Sequence, residues 1–343
     1  MKATSLKTRA MAVGVPTVSV LMMLAACSPP ADGGAETGAD EINIAFSNPE
    51  IFTTGFPYYV AQDQGFFEDA GLKADATFTG GGAETVQAVV AGSADFGTET
   101  SGAAAIGAYA EGAPLKIISA STTGLDLVWF AETGGPITGA EDLAGKKVGY
   151  SATGSSSHIG VLALSDALEG QGLEPVQAEA IGGPPDNYTA VKTGQIAAGW
   201  TQPPFFLQEV ADGELEIVSR GADLGDYKDV AMRVNVTNSR WAQENPETVT
   251  RFLEVQDQAW DWIFENPEEA VAIWKKAADL KEPEDVLMTS FDYYEREAMR
   301  LFPLDGTDVL LEDAEKFGFL QEPLSEEQVS ELFDMSFKPD GIE

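Results

Sequence analysis

Apolar residues in this chain come in two rhythms. Through its first two thirds they form short runs that end at glycines. Ile42-Asn43-Ile44-Ala45-Phe46, Leu115 to Ser119 and Lys147-Val148-Gly149-Tyr150 read as strands. Between them lie helical segments. Pro57 is placed to open one that runs through Tyr59, Phe66 and Phe67 and stops at Gly71. Another runs from about Ser156 to Leu168, with Gly170 beyond it. Strands alternating with helices predict open α/β sheets. The last third changes to helical spacing alone. Asn245-Pro246-Glu247 and Asn266-Pro267-Glu268 each offer an N-cap, a proline for the first helical position and an acid for the helix dipole. Val249, Phe252, Leu253 and Trp260 follow the first at helical spacing, and Val271, Trp274 and Ala278 follow the second. Trp260, Trp262 and Trp274 read as packing anchors.

One stretch of the pattern occurs twice. Gly80-Gly81-Gly82 opens a segment that runs through Gly92 to Gly97, and Gly182-Gly183 opens one that runs through Gly194 to Gly199. Each glycine pair is separated by the same 102 positions. In both copies an apolar run (Ala76 to Phe78; Ala178 to Ile181) precedes a glycine turn. A helix with an early acid follows, then a closing glycine and a short strand. The fixed register predicts two related lobes.

The first apolar run is of a different kind. Lys2, Lys7 and Arg9 precede it, and the stretch Ala12–Ala26 ends in Leu24-Ala25-Ala26-Cys27. About fifteen residues, broken by Pro16, fall short of the ~20 that a membrane-spanning helix needs. A basic start, an apolar middle and small residues at the cut mark a secretory signal, residues 1–26. A cysteine directly after it resembles the lipobox of bacterial lipoproteins, whose thiol receives a diacylglycerol. Cys27 is the sole cysteine, so lipidation leaves no thiol for catalysis and none for disulfides. Residues 27–40 carry proline, glycine and acid without apolar period. They read as a flexible tether, spanning on the order of 20 Å.

Charge narrows the partners. The net charge is −36, and loss of the three basic signal residues takes it to −39. A phosphate backbone needs a basic face, so nucleic acid is excluded. Such charge favours a soluble monomer, and a 44% hydrophobic content suffices for a core.

In open α/β sheets ligands sit beyond the carboxyl ends of strands, at helix N-termini. That rule selects the loops Thr54–Tyr58, Gly80–Gly82, Thr98–Ser101, Ser151–Ser156 and Trp200–Pro204. None holds lysine or arginine, so a bound anion is expected to rest on backbone amides and hydroxyls. Ser155 and Ser156 lead that group, although a plain N-cap explains a serine there equally well. Gly81, Gly82, Thr100, Ser101, Thr153 and Gln202 complete the polar candidates. Phe56, Tyr58, Tyr188, Trp200 and Phe205 would suit a flat ring or organic moiety. Glu84 reads as a first-turn helix acid. Glu99 is a candidate acceptor for an amine or aminopyrimidine. The expected solute is therefore larger and more organic than nitrate or sulfate. His158 is the sole histidine; without partners at metal-ligand spacing it reads as a surface or capping residue. No Ser/His/Asp order and no P-loop is present, so neither catalysis nor a cofactor or metal is expected.

Several motifs resemble one family in combination. They are Tyr58-Tyr59-Val60-Ala61-Gln62-Asp63-Gln64-Gly65-Phe66-Phe67, the triple glycine with Ala91-Gly92-Ser93-Ala94-Asp95-Phe96-Gly97, Glu111-Gly112-Ala113-Pro114-Leu115-Lys116, Asp142-Leu143-Ala144-Gly145-Lys146-Lys147-Val148-Gly149, and Asn245-Pro246-Glu247. From Ile42 to about Ile273 the chain resembles the solute-binding proteins of sulfonate, nitrate, taurine and thiamine-precursor importers, the SsuA/THI5-like or NMT1-like family. The resemblance implies a bilobal periplasmic-binding-protein-like fold of type II, with crossovers near Ser121–Phe130 and Arg220–Arg233. Lobe 1 would be 41–125 plus 231–343, and lobe 2 would be 126–230. It also implies a small organic solute, sulfonate-like or heterocyclic such as a pyrimidine. The lipid-anchored body would deliver that solute to an ABC permease at the outer face of the membrane. Yeast-type pyrimidine synthases resemble the same family, but their cysteine-rich motif is absent here. A secreted enzyme or a sensor lobe on the same fold are the alternatives; recovery of ligand unchanged, or a permease gene next door, separates them.

Overall fold

The computed structural model describes residues 39–224 and 227–342. Cys27, the signal segment 1–26 and all but the end of the tether lie outside the described residues. Among the described residues ten strands form a five-stranded sheet and, joined by one bridge, a two-stranded and a three-stranded sheet that together follow the same plan. In the first, β1 (Asp40–Ser47) pairs parallel with β2 (Leu72–Thr79) and with β3 (Phe96–Ser101). Beyond β3 the order continues through β10 (Arg233–Asn238) to β4 (Leu115–Thr122), and β10 is antiparallel to both neighbours. In the second, β6 (Lys147–Tyr150) pairs parallel with β7 (Gln177–Ala180). It is joined to β8 (Gly199–Thr201) through a parallel bridge between Val148 and Ala198. Next comes β5 (Val128–Glu132), antiparallel to both β8 and β9 (Leu215–Arg220). In each order the fourth strand, β10 or β5, runs antiparallel to both its neighbours.

The repeat read from the sequence sits where the pattern put it. The helices Gly82–Val90 and Pro184–Lys192 begin and end 102 residues apart. Each follows a parallel strand and leads into the next one. The segment after Pro57 differs from expectation. Its helix is two pieces, Gly55–Asp63 and Phe66–Asp69, divided at Gly65, whose φ of +76° favours glycine.

The helices Pro246–Glu265 and Pro267–Ala277 start at their prolines, as read. The asparagines ahead of them act otherwise than expected. Neither side chain caps its following helix. Asn245 Nδ2 donates to the Trp241 carbonyl at 2.9 Å, and Asn266 Nδ2 to the Trp262 carbonyl at 3.1 Å. The helices abut, and each amide adds a second hydrogen bond to a carbonyl of the turn behind it that already accepts the asparagine's own backbone N–H. These helices cover one face of the first sheet with aromatic rings. Phe52, Phe56, Trp260 and Trp274 are fully buried there, with the Phe56 and Trp274 rings stacked 4.7 Å apart. Trp262 is half-buried at the margin. Each fully buried ring contributes on the order of 1.5–3 kcal/mol. No helix among the described residues is long and apolar enough to cross a membrane.

Candidate functional site

The carboxyl ends of the two parallel sets face one another across a small cavity. From the first half Ser47, Asn48, Thr54, Gly81, Gly82 and Arg233 line it. From the second come Ser151, Ser155, Ser156, Ser157, Trp200 and Gln202. The enclosed space is about 20 Å3, room for roughly one water molecule.

Two helix N-termini open on this space, as the strand-end rule anticipates. The helix Gly82–Val90 has glycine at its cap and no side chain over its first amides. Glu84 folds back instead onto the Gly80 amide at 2.8 Å, the part of a first-turn acid. The helix Ser156–Gly170 is capped by Ser155, whose Oγ accepts from the His158 amide at 3.1 Å. Ser151, Ser155 and Ser157 close a triangle of hydroxyls 2.8–2.9 Å apart. Ser155 therefore caps the helix and lines the cavity at once. His158 stacks on Tyr150 with ring centres 4.5 Å apart, and burial lowers its pKa.

Arg233 was not among the residues expected here. The expectation of a site without cations is corrected: the guanidinium enters from β10, outside the loops selected by the strand-end rule. Its side chain is 7% exposed. Nε donates to Asp126 Oδ1 at 2.9 Å, Nη2 to Gln202 Oε1 at 3.1 Å, and Nη1 to the Glu99 carbonyl at 3.4 Å. Gln202 Nε2 donates in turn to Asp126 Oδ2, which also accepts from Thr53 Oγ1 at 3.2 Å. This network ties the first crossover, β10, the loop before Gly55 and the loop after β8 together beneath the cavity. A buried charge is held only where it is paired and hydrogen-bonded, and these contacts supply both. The signal was a lone arginine within the otherwise apolar run Val230-Ala231-Met232-Arg233-Val234, at the start of β10.

The other expected residues divide clearly. Gly81, Gly82, Ser155, Ser156, Trp200 and Gln202 line the cavity. Trp200 is 2% exposed, and its indole N–H is taken by the Gly182 carbonyl at 3.1 Å. Phe56 does not reach the cavity: the helix that begins at Gly55 turns it into the aromatic layer. Tyr58 packs on Phe46 and donates its hydroxyl to the Ala74 carbonyl at 3.3 Å. Tyr188 stacks on Phe206, 4.8 Å between centres, in a separate apolar cluster, with Phe205 beside it against Phe206. Thr100 is buried with its hydroxyl on the Val234 carbonyl at 3.0 Å. Ser101 caps the helix Gly102–Ala110, and Thr153 is exposed outside the cavity. Of the expected aromatics, Trp200 alone lines the space.

Glu99 also differs from expectation. Its carboxylate does not line the cavity. It turns inward at a bulge, where the β10 register against β3 slips between Val234 and Val236. Its φ of +55° is rare for a residue with a side chain. Thr122 Oγ1 donates to it at 2.9 Å, Ser121 Oγ donates as well, and Arg233 Nε lies 3.5 Å away. Burial raises its pKa to about 7, against the opposing pull of Arg233, while the neighbouring Asp126 adds to the rise.

A family model described as NMT1/THI5 like matches residues 53–270. A Brucella abortus protein named as a binding protein is 30% identical over 219 residues, 63% of this chain and 66% of that protein. The chain thus spans just under two thirds of that relative's length. The 4-amino-5-hydroxymethyl-2-methylpyrimidine phosphate synthase THI5 of Saccharomyces cerevisiae is 23% identical over 251 residues, 66% of this chain and 67% of that enzyme. Among solved structures, the periplasmic aliphatic sulphonate binding protein SsuA of Escherichia coli superposes with a TM-score of 0.70 at 20% identity. The match covers 89% of this chain and 95% of that one. The α/β architecture is therefore the bilobal periplasmic-binding-protein fold, and the chain belongs to the NMT1/THI5-like family.

Proposed function

We propose that this chain is the extracytoplasmic solute-binding component of an ABC importer, and that it binds its solute without altering it. The lobes would be 41–125 plus 231–343 and 126–230, hinged at the two crossovers. The observation that carries the reading is the cavity itself. Both halves line it at strand ends, with uncommitted first-turn amides, a hydroxyl triangle and one buried guanidinium. That set suits an acidic head group such as a sulfonate, held by charge-assisted hydrogen bonds. The name of the Escherichia coli relative agrees with that class. A solute larger than one water requires the walls to part, which is the motion a hinged pair of lobes supplies.

A heterocyclic solute such as a pyrimidine is the second reading, favoured by Trp200 in the cavity wall and by the yeast relative. Cys27 would carry the lipid that tethers a monomeric body near its permease. Native mass spectrometry of the purified protein identifies a co-purified solute. Calorimetric titration of the refolded, stripped protein with ethanesulfonate, taurine, nitrate and an aminopyrimidine then ranks the classes. Tight binding of nitrate alone sinks the organic-solute reading. Chemical conversion of a bound ligand sinks the transport reading. Palmitate labelling that persists in C27S sinks the lipid anchor.

A further inference from the structure

Beneath the cavity one guanidinium faces two carboxylates, and all three side chains are buried. Arg233 is 7% exposed, Asp126 2% and Glu99 2%. The cluster is neutral if one carboxylate carries a proton and carries −1 if neither does. An acidic head group beside Arg233 adds another negative charge. In a site shielded from water, that third anion disfavours full ionisation of both acids.

The hydrogen bonds around the two acids differ. Asp126 accepts from the guanidinium Nε–H and the Gln202 amide, which donate only, and from the Thr53 hydroxyl at 3.2 Å. Glu99 is held by the hydroxyls of Ser121 and Thr122. A hydroxyl donates to a carboxylate and, turned about its C–O bond, accepts from a carboxylic acid. The Glu99 pocket therefore suits either form.

We propose that Glu99 is the proton-accepting group of the solute site, so that an acidic solute is bound together with one proton from bulk water. The step is a proton transfer: a Glu99 carboxylate oxygen gains an O–H bond, and the hydronium or buffer acid that supplies the proton loses one and is left as its conjugate base. Among the described residues, few groups face Glu99. From β4 Glu99 meets the two hydroxyls, from β10 Arg233, and from the first crossover Asp126. Beyond them, Met299 Sδ lies 4.0 Å from Thr122 Oγ1, and Tyr294 is buried with a hydroxyl held neutral by desolvation far above its ordinary range. Burial has already brought Glu99 to about 7, so the exchange falls near neutral pH.

This inference rests on the acidic-solute reading, and the test separates the two. Ethanesulfonate is titrated calorimetrically into wild type and E99Q at pH 7.5, in phosphate and in Tris. Wild type should show an enthalpy that differs between the buffers, corresponding to uptake of roughly half to one proton. Above pH 7 its affinity should fall by up to about tenfold per unit. E99Q should bind with neither dependence. Equal proton uptake in E99Q, or none in wild type, overturns the proposal. Failure of both proteins to bind ethanesulfonate counts against the solute reading. The proton site is then decided on ligand-free protein by carbon-13 NMR of labelled glutamate carboxyls. A titration midpoint near 7 that vanishes in E99Q supports it, and absence of that midpoint in wild type overturns it.

Discussion

Replacing Glu99 by glutamine should make the folded protein less sensitive to alkali. Glutamine has the shape of the protonated acid and keeps hydrogen bonds to Ser121 and Thr122, but it never ionises. In wild type, burial lifts the carboxyl from 4.5 to about 7. The native state then holds its proton over a range in which the unfolded chain has released it. Stability from this group is therefore complete below the unfolded value of 4.5 and is lost as pH rises through about 7. A rise of roughly two and a half units corresponds to about 3 kcal/mol. Urea unfolding followed by tryptophan fluorescence at pH 5 and pH 8 measures the effect, because the midpoint and slope give the free energy in each buffer. All other titrating groups are common to both proteins and cancel in the difference. The free-energy gap, E99Q minus wild type, should grow by about 3 kcal/mol from pH 5 to pH 8. A gap that stays constant, or that shrinks with rising pH, refutes the assignment of a buried, high-pKa carboxyl to this position.

Three further substitutions probe other parts of the argument. R233M leaves the buried carboxylates of Asp126 and Glu99 without their cation; it should cost about 3–5 kcal/mol in urea unfolding and abolish ethanesulfonate binding in calorimetry. W274A removes a ring stacked on Phe56 in the aromatic layer. A loss of about 3–5 kcal/mol is expected, with ethanesulfonate affinity unchanged at a temperature where the variant stays folded. At Gly149 an added Cβ would lie 2.0 Å from Asn187 Oδ1 and 2.8 Å from Ile196 Cδ1. G149A should therefore push the helix Pro184–Lys192 away from β6 and lower stability by about 1–3 kcal/mol, read as a lower melting temperature.

What could be read in the sequence follows from how locally each feature is determined. Gly81 and Gly183 turn the chain before a helix, and Gly92 and Gly194 close one with positive φ. These are decisions of a few residues, so the repeat was legible from its glycines and its helix starts. Phe56 was misplaced for a related reason. The loop around it is short, and a helix starting at Gly55 instead of Pro57 swings its ring from the strand ends into the helical layer. Arg233 lay beyond local reasoning. It sits on β10, whose partners β3 and β4 lie more than a hundred residues earlier, and nothing in Ala231-Met232-Arg233-Val234 announces which sheet it joins. Yet the placement of β10 is what gives the arginine its use. Arg233 is the first residue of β10, which runs beside β3 and β4. There it meets Asp126 on the opposite crossover and Gln202 on the far wall. The chemistry of the site thus rests on the element whose position is least encoded in its own neighbours.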